Sequence, residues 1–407
     1  MLKRFLSLKS IMNNLFCPYP YTNLYYRGRT HPKGHRVKVC CDAVEDITAN
    51  SLEQAIVERH THPYWQNLKD TFNKNEWPTA CRKCETDENN QKQSHRQVAV
   101  KTFKLENEKQ VFEKFNSKPP ILSLDVRPNN KCNLMCRMCT PVDSSLIAEH
   151  AGESQTLVEL YGKDDIENGK SPPTFKVPPK EYLTDIIEIR MLGGEPTLDE
   201  NCLALMDRMI ELGKGPEVLI NITTNGTNAR QSFIDRIKHF NTHLRFSIDG
   251  FGPYYEYIRT YGNWNKLTKN IGRLAPHAAG MGSNFVLQMY NVFGVGQYAK
   301  WLDTMYLTHE NWKQPSYAIP LEWPTGFNIG NLKEKHRTEL VDELNTIEQT
   351  VQHPHTKQFI KQCISCILTR QEPIALPEQT LTKLTEAMDK QRSTNLLNLD
   401  KRFEEYL

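Results

Sequence analysis

Residues 118–320 predict an α/β architecture of parallel βα units, and three observations carry the prediction. Six apolar segments of strand length recur through the region. Segments with helical apolar spacing lie between them. The residues best suited to chemistry, cysteines, glycines and a few acids, fall at or just after the ends of the expected strands. Alternation of this kind fits either a doubly wound sheet or a barrel.

The expected strands are "ILSLDVR" (121–127), "IIEIRML" (186–192), "EVLINIT" (217–223), "HLRFSID" (243–249), "NFVLQMYNV" (284–292) and "SYAIP" (316–320). Six strands would make any barrel partial. The helix expected over 199–213 carries Cys202, Leu205, Met206 and Met209 on one stripe. Asp199 reads as its N-cap and Gly213 as its stop. A second helix is expected over 230–240. The stretch 155–181 reads as a linker longer than a usual loop, an insertion near a functional edge. Residues 330–407 are charged and helical in pattern, with "HPH" (353–355) as a break.

Composition narrows the classes. The chain has 407 residues, a net charge of +3, 38% hydrophobic and 24% charged residues. That charge is too small to argue for nucleic acid, and no apolar run reaches the ~20 residues of a membrane span. The first residues, "MLKRFLSLKSIMNNLF", are basic and amphipathic; they read as a short surface helix rather than a transit peptide. Eleven cysteines in clusters, in a long chain without a secretory signal, point to thiolate-bound metal in a reducing, cytoplasmic setting.

"KCNLMCRMC" (131–139) places Cys132, Cys136 and Cys139 in eight positions. As i, i+4 and i+7 they could share a helix face, but "RPNNK" before and "TPVD" after mark a loop. A closed zinc site needs a fourth ligand, and none lies nearby in sequence. Three thiolates also suit a cubane iron–sulfur cluster whose fourth iron stays open to a ligand.

This Cys-x3-Cys-x2-Cys pattern resembles the signature of the radical S-adenosylmethionine (radical SAM) superfamily. The resemblance implies a partial (β/α)6, TIM-type barrel. It implies Cys132, Cys136 and Cys139 as ligands of a 4Fe–4S cluster whose open iron holds the amino and carboxylate groups of S-adenosylmethionine. Reductive cleavage of that molecule would give a 5′-deoxyadenosyl radical that abstracts hydrogen from substrate. Met135 and Met138 would pack around the cluster. "LGGEPTL" (192–198) resembles the family segment that meets the S-adenosylmethionine amino group, through Gly193, Gly194 and Glu195. "TTNGT" (223–227) and "SIDG" (247–250) resemble segments near its ribose and carboxylate, with Asn225, Ser247 and Asp249 as the polar candidates. "YEYIR" (255–259) resembles a stretch whose arginine, here Arg259, meets the carboxylate.

Cys17, Cys40, Cys41, Cys81 and Cys84 form a second group. Cys-x2-Cys with earlier cysteines suggests metal, zinc in the generic case. The order of the motifs instead resembles the Twitch and SPASM modules of radical SAM enzymes, which hold an auxiliary 4Fe–4S cluster. The ligands would be Cys17, Cys40, Cys81 and Cys84, with Cys41 competing for the second place. Those modules usually follow the core, and here the candidate precedes it. Cys202 reads as core, as do Cys363 and Cys366 on one helix face.

The expected layout is an auxiliary module (1–105), a radical SAM core (118–320) and a helical C-terminal region (321–407). The expected activity is radical SAM chemistry on a peptide or protein, fed by an electron donor such as flavodoxin or ferredoxin. Two alternatives stand beside it. One is a radical SAM enzyme acting on RNA, suggested by basic and tyrosine-rich residues 1–41, although a solvated face is the preferred reading of that stretch. The other is a non-enzymatic zinc protein.

Overall fold

The computed structural model describes residues 15–28, 34–116, 118–171, 175–369 and 380–407. Most of the basic N-terminal segment therefore lies outside the described residues. In chain order the strands are β1 (Asn23–Arg27), β2 (His35–Lys38), β3 (Ile47–Ala49), β4 (Ser123–Arg127), β5 (Met135–Cys136), β6 (Glu188–Met191), β7 (Leu219–Thr224), β8 (Asn241–Ser247), β9 (Arg259–Thr260), β10 (Gly280–Leu287) and β11 (Tyr317–Pro320). Two compact units are formed: Met1–Asn129 with Pro173–Met191 and Glu200–Ile220, and Asn130–Pro172 with Leu192–Asp199 and Asn221–Leu407.

In the first unit the strand order is β6-β4-β1-β2-β3. β1 runs parallel to β4, with Tyr25 opposite Asp125, and antiparallel to β2. The cysteine-rich N-terminal region thus supplies three strands that its sequence did not announce. "NLYYR" is buried at four successive positions, so it lacks the alternation that marks a half-exposed strand. Helices follow with local stop and start signals: Ser51 caps Leu52–Glu58, and Ser94 with Gln97 forms a capping box on His95–Phe103. Tyr21, Leu68, Phe72, Phe103 and Val111 lie in one apolar core. In the helix Glu200–Glu211 the expected stripe of Cys202, Leu205, Met206 and Met209 is buried, and Gly213 follows at φ +69°.

In the second unit the order is β11-β10-β8-β7, with β10 parallel to both β8 and β11. The helices Gln231–Ile237, Pro253–Ile258, Trp264–Leu274 and Val295–Thr308 fall between these strands, as the alternation required. β5 and β9 form a separate two-stranded antiparallel ladder.

Three expectations need correction. The strand expected over 284–292 stops at Leu287, where Asn291 accepts from the Gln288 amide and turns the chain. It begins earlier, at Gly280; Gly280 and Gly282 sit where an added Cβ would press on His243 or Gln314, which hides them from an apolar pattern. The supposed long linker holds two helices, Gln155–Tyr161 and Lys163–Lys170, separated by Gly162 at φ +80°. They bury Leu157, Leu160, Tyr161 and Ile166. Finally, Cys363 is buried on the helix Pro354–Leu368, whereas Cys366 is partly exposed. Among the described residues no helix is long and apolar enough to cross a membrane.

Candidate functional site

The three-cysteine segment is a loop pinned at several points. Before it, the Asn130 side chain donates to the carbonyls of Pro141 and Gly169, both at 2.8 Å. Ser145 Oγ lies 3.3 Å from the Cys132 amide, and Ser144 Oγ donates to the Leu134 carbonyl at 2.8 Å. The middle of the loop is β5, paired with β9 so that Cys136 stands opposite Arg259. The next amide, of Arg137, donates to Ile258 O at 2.9 Å.

The glycine motif is packed against the start of this loop. An added Cβ at Gly194 would lie 2.3 Å from Lys131 O and 2.5 Å from Asn130 O. Only glycine allows that approach. Gly193 takes φ +138°, and the Glu195 amide donates to Lys131 O at 2.7 Å. The Glu195 carboxylate is buried. It accepts from Thr197 N (3.1 Å), Thr197 Oγ1 (2.6 Å), Thr224 Oγ1 (2.7 Å) and Asn225 N (2.6 Å). Burial raises its pKa and these donors oppose the rise. Glu195 thus ties two of the expected motifs together. Asn225 turns its Nδ2 toward Asn133 Oδ1 (3.0 Å) and Cys132 Sγ (3.9 Å).

Asp249, fully buried, accepts from the Val286 amide at 2.8 Å and ion-pairs with Arg259 at 2.6 Å. Burial raises the Asp249 pKa against the pull of Arg259. The other arm of Arg259 lies 3.4 Å from Cys136 Sγ. Cys136 is lowered, chiefly by the hydrogen bond from Cys139 and, after the opposing effect of burial, by Arg259. Cys132 is pushed up to about 12 by burial. Ser247 ends β8, half-buried. The structure therefore brings Cys132, Cys136, Gly194, Glu195, Asn225, Asp249 and Arg259 into linked contacts, whereas Ser247 has no contact with them among those described here.

Sequence reasoning passed over Arg137, which lies between two of the cysteines. It is fully buried, stacks at 3.7 Å on Tyr257, and donates to Asp389 (2.5 Å) and Thr394 (2.8 Å). A charged side chain between two closely spaced cysteines was the available signal.

In the first unit Cys17, Cys40, Cys81 and Cys84 line one small cavity, with Val39, Phe72, Trp77 and Arg96 among its walls. Burial raises all four thiols. Cys41 faces another way: its Sγ is 3.6 Å from His95 Nδ1, near Asp42. Arg190 donates to His95 Nε2 at 2.7 Å. Nε2 must then carry the lone pair and Nδ1 the proton. Among the described residues, Cys41, Asp42 and His95 are the one trio whose ligand atoms all lie within 4.8 Å of one another, but a protonated Nδ1 cannot ligate a metal. His95 and Asp42 carried no sequence signal.

No family model matches the chain. No curated protein matches it. Among solved structures the chain is similar to anSMEcpe with bound AdoMet and Cp18Cys peptide, at 17% identity over 57% of this chain and 60% of that one, with a TM-score of 0.37. It is also similar to Streptococcus suis SuiB bound to precursor peptide SuiA (14%, 81% and 67%, TM-score 0.34). A third is TYW1 with a lysine-pyruvate adduct bound (12%, 56% and 72%, TM-score 0.28). The chain spans 60% of the length of the first of these. All three likenesses are weak in identity and in TM-score, so the functional reading rests on the residues and their geometry.

Proposed function

We propose that the chain is a radical SAM enzyme whose cluster is held by Cys132, Cys136 and Cys139. The observation that carries this reading is the single hydrogen-bonded assembly of the cysteine loop with Gly194–Glu195, Asn225 and the Asp249–Arg259 pair. The donor set suits the group. Among the described residues no imidazole or carboxylate oxygen is gathered with these thiols into a trio of ligand atoms within 4.8 Å, as a closed zinc site would need, and a guanidinium beside Cys136 Sγ favours thiolate. When bound, the cluster with S-adenosylmethionine would supply one electron to the sulfonium, breaking the C5′–S bond to methionine and a 5′-deoxyadenosyl radical. Gly194 lets the backbone of this motif pack directly on residues 130–131 of the cysteine loop, and the Glu195 amide holds it there. A partial (β/α)6 barrel over 118–320 suits such a core, with a helical region at 321–407.

The four-thiol cavity is the auxiliary site of this reading, within a module at 1–105. A 4Fe–4S cluster is preferred to zinc here because the four thiols accompany the proposed radical SAM core, whose Twitch and SPASM relatives carry such a cluster. Cys41, turned to His95, is outside the ligand set. The substrate class is a peptide or protein, the electron donor a flavodoxin or ferredoxin, and the setting the cytoplasm.

The test is anaerobic reconstitution, reduction and addition of S-adenosylmethionine. Formation of 5′-deoxyadenosine with bound iron and sulfide is expected. Colourless, zinc-loaded protein that leaves S-adenosylmethionine intact would defeat the proposal and favour the structural zinc reading.

A further inference from the structure

This inference rests on the proposed cluster and concerns Arg259. The β5–β9 ladder sets Arg259 directly opposite Cys136. Directly paired residues project their side chains to the same side of a ladder, so the guanidinium meets the sulfur. One terminal nitrogen lies 3.4 Å from Cys136 Sγ, and the other is fixed 2.6 Å from Asp249. Asp249 is itself held by the Val286 amide, and its carbonyl by the Asn291 side chain at 2.9 Å. Arg259 is only 7% exposed, so water screens the charge little. Both terminal nitrogens are thus engaged by the protein. The family resemblance would have sent this guanidinium to a ligand carboxylate; the geometry directs it to a sulfur.

We propose that Arg259 sets the reduction potential of the cluster through an N–H···S bond to Cys136, with Asp249 as its positioning residue and counter-charge. Reduction adds one electron, supplied in the test by dithionite, and breaks no bond. A cation and a hydrogen bond at the ligand sulfur stabilise the more negative, reduced form. The potential should therefore fall when Arg259 is neutralised. It should rise when Asp249 is neutralised, because the cation is then uncompensated. A brace that merely shapes the loop has no reason to give opposite signs.

The experiment is a redox titration of the reconstituted full chain, following the cluster whose EPR signal changes when S-adenosylmethionine is added. Arg259→Met is expected to lower the midpoint by at least 59 mV, tenfold in the one-electron equilibrium. Arg259→Lys should recover part of the shift, and Asp249→Asn should move the midpoint upward. Should Arg259→Met not retain its cluster, the Lys and Asn variants still supply the two readings. Unchanged midpoints, or shifts of one sign for Arg259→Lys and Asp249→Asn, overturn this inference while leaving the enzyme proposal standing. A wild-type chain that assembles no such cluster overturns both.

Discussion

The two cysteine groups solve different problems. In the first unit four thiols come from separate places: the turn before Tyr19, the end of the β2 hairpin, and both sides of the junction at Arg82. They converge on a largely apolar cavity, and the fifth thiol, Cys41, is turned away and occupied by His95. In the second unit three thiols share one short loop, and their surroundings are polar: an amide, a guanidinium and a buried carboxylate braced by four donors. A full complement of sulfurs within apolar walls suits a group that stays closed. An incomplete complement beside fixed polar groups suits one that receives a ligand.

Replacing Cys132, Cys136 and Cys139 together by alanine should break that contrast most sharply. Formation of 5′-deoxyadenosine should vanish while iron analysis still finds one cluster; activity surviving in this variant would falsify the assignment of the open site. The next largest effect tests the closed one. Cys84→Ala should cost the auxiliary cluster's share of iron, whereas Cys41→Ala should keep it, both read by iron and sulfide counts.

A smaller effect is expected at Gly194→Ala. Its Cβ would collide with the backbone of residues 130–131, so the loop must shift, at a cost of about 1–3 kcal/mol. Isothermal titration with S-adenosylmethionine should show weaker binding, and the auxiliary iron should be unaffected. The smallest effect belongs to the first unit alone. His60 is lowered to about 4 by burial, and then by Arg59, Lys69 and Lys118. The folded form keeps this imidazole neutral, so its contribution to stability is whole above about pH 6.5 and is lost as pH falls toward 4. NMR titration should find His60 neutral at pH 5.5. Denaturant midpoints should decline over that window less steeply in His60→Gln.

What could be read from the sequence was what lies close together along the chain. Cys132, Cys136 and Cys139 declared themselves by spacing, and most strands of the second unit by apolar runs. The helix stripe of Cys202, Leu205, Met206 and Met209 did so by period. Pairing across distance could not be read. Nothing in "NLYYR" says that it lies beside β4, about a hundred residues on. Nothing in "CRMC" says that Arg137 will meet Asp389, 252 residues away. The ambiguity between Cys40 and Cys41 was also beyond sequence, because adjacent residues share spacing and only side-chain direction separates them. Glu195 was legible as a polar group near a ligand, but the four donors that occupy it come from Thr197, Thr224 and Asn225, and two of these lie in another motif.

The fit of Gly194 on Asn130 and Lys131 has a practical meaning for anyone who would transplant this centre. The nine residues bearing the sulfurs are not a portable cassette. Their leading edge is moulded to a bare patch of main chain some sixty positions downstream, and Asn130 also reaches back to Pro141 and Gly169. A graft of the cysteine stretch alone would arrive without its seat. Both segments would have to travel together, and any host would need a strand end flat enough to receive them.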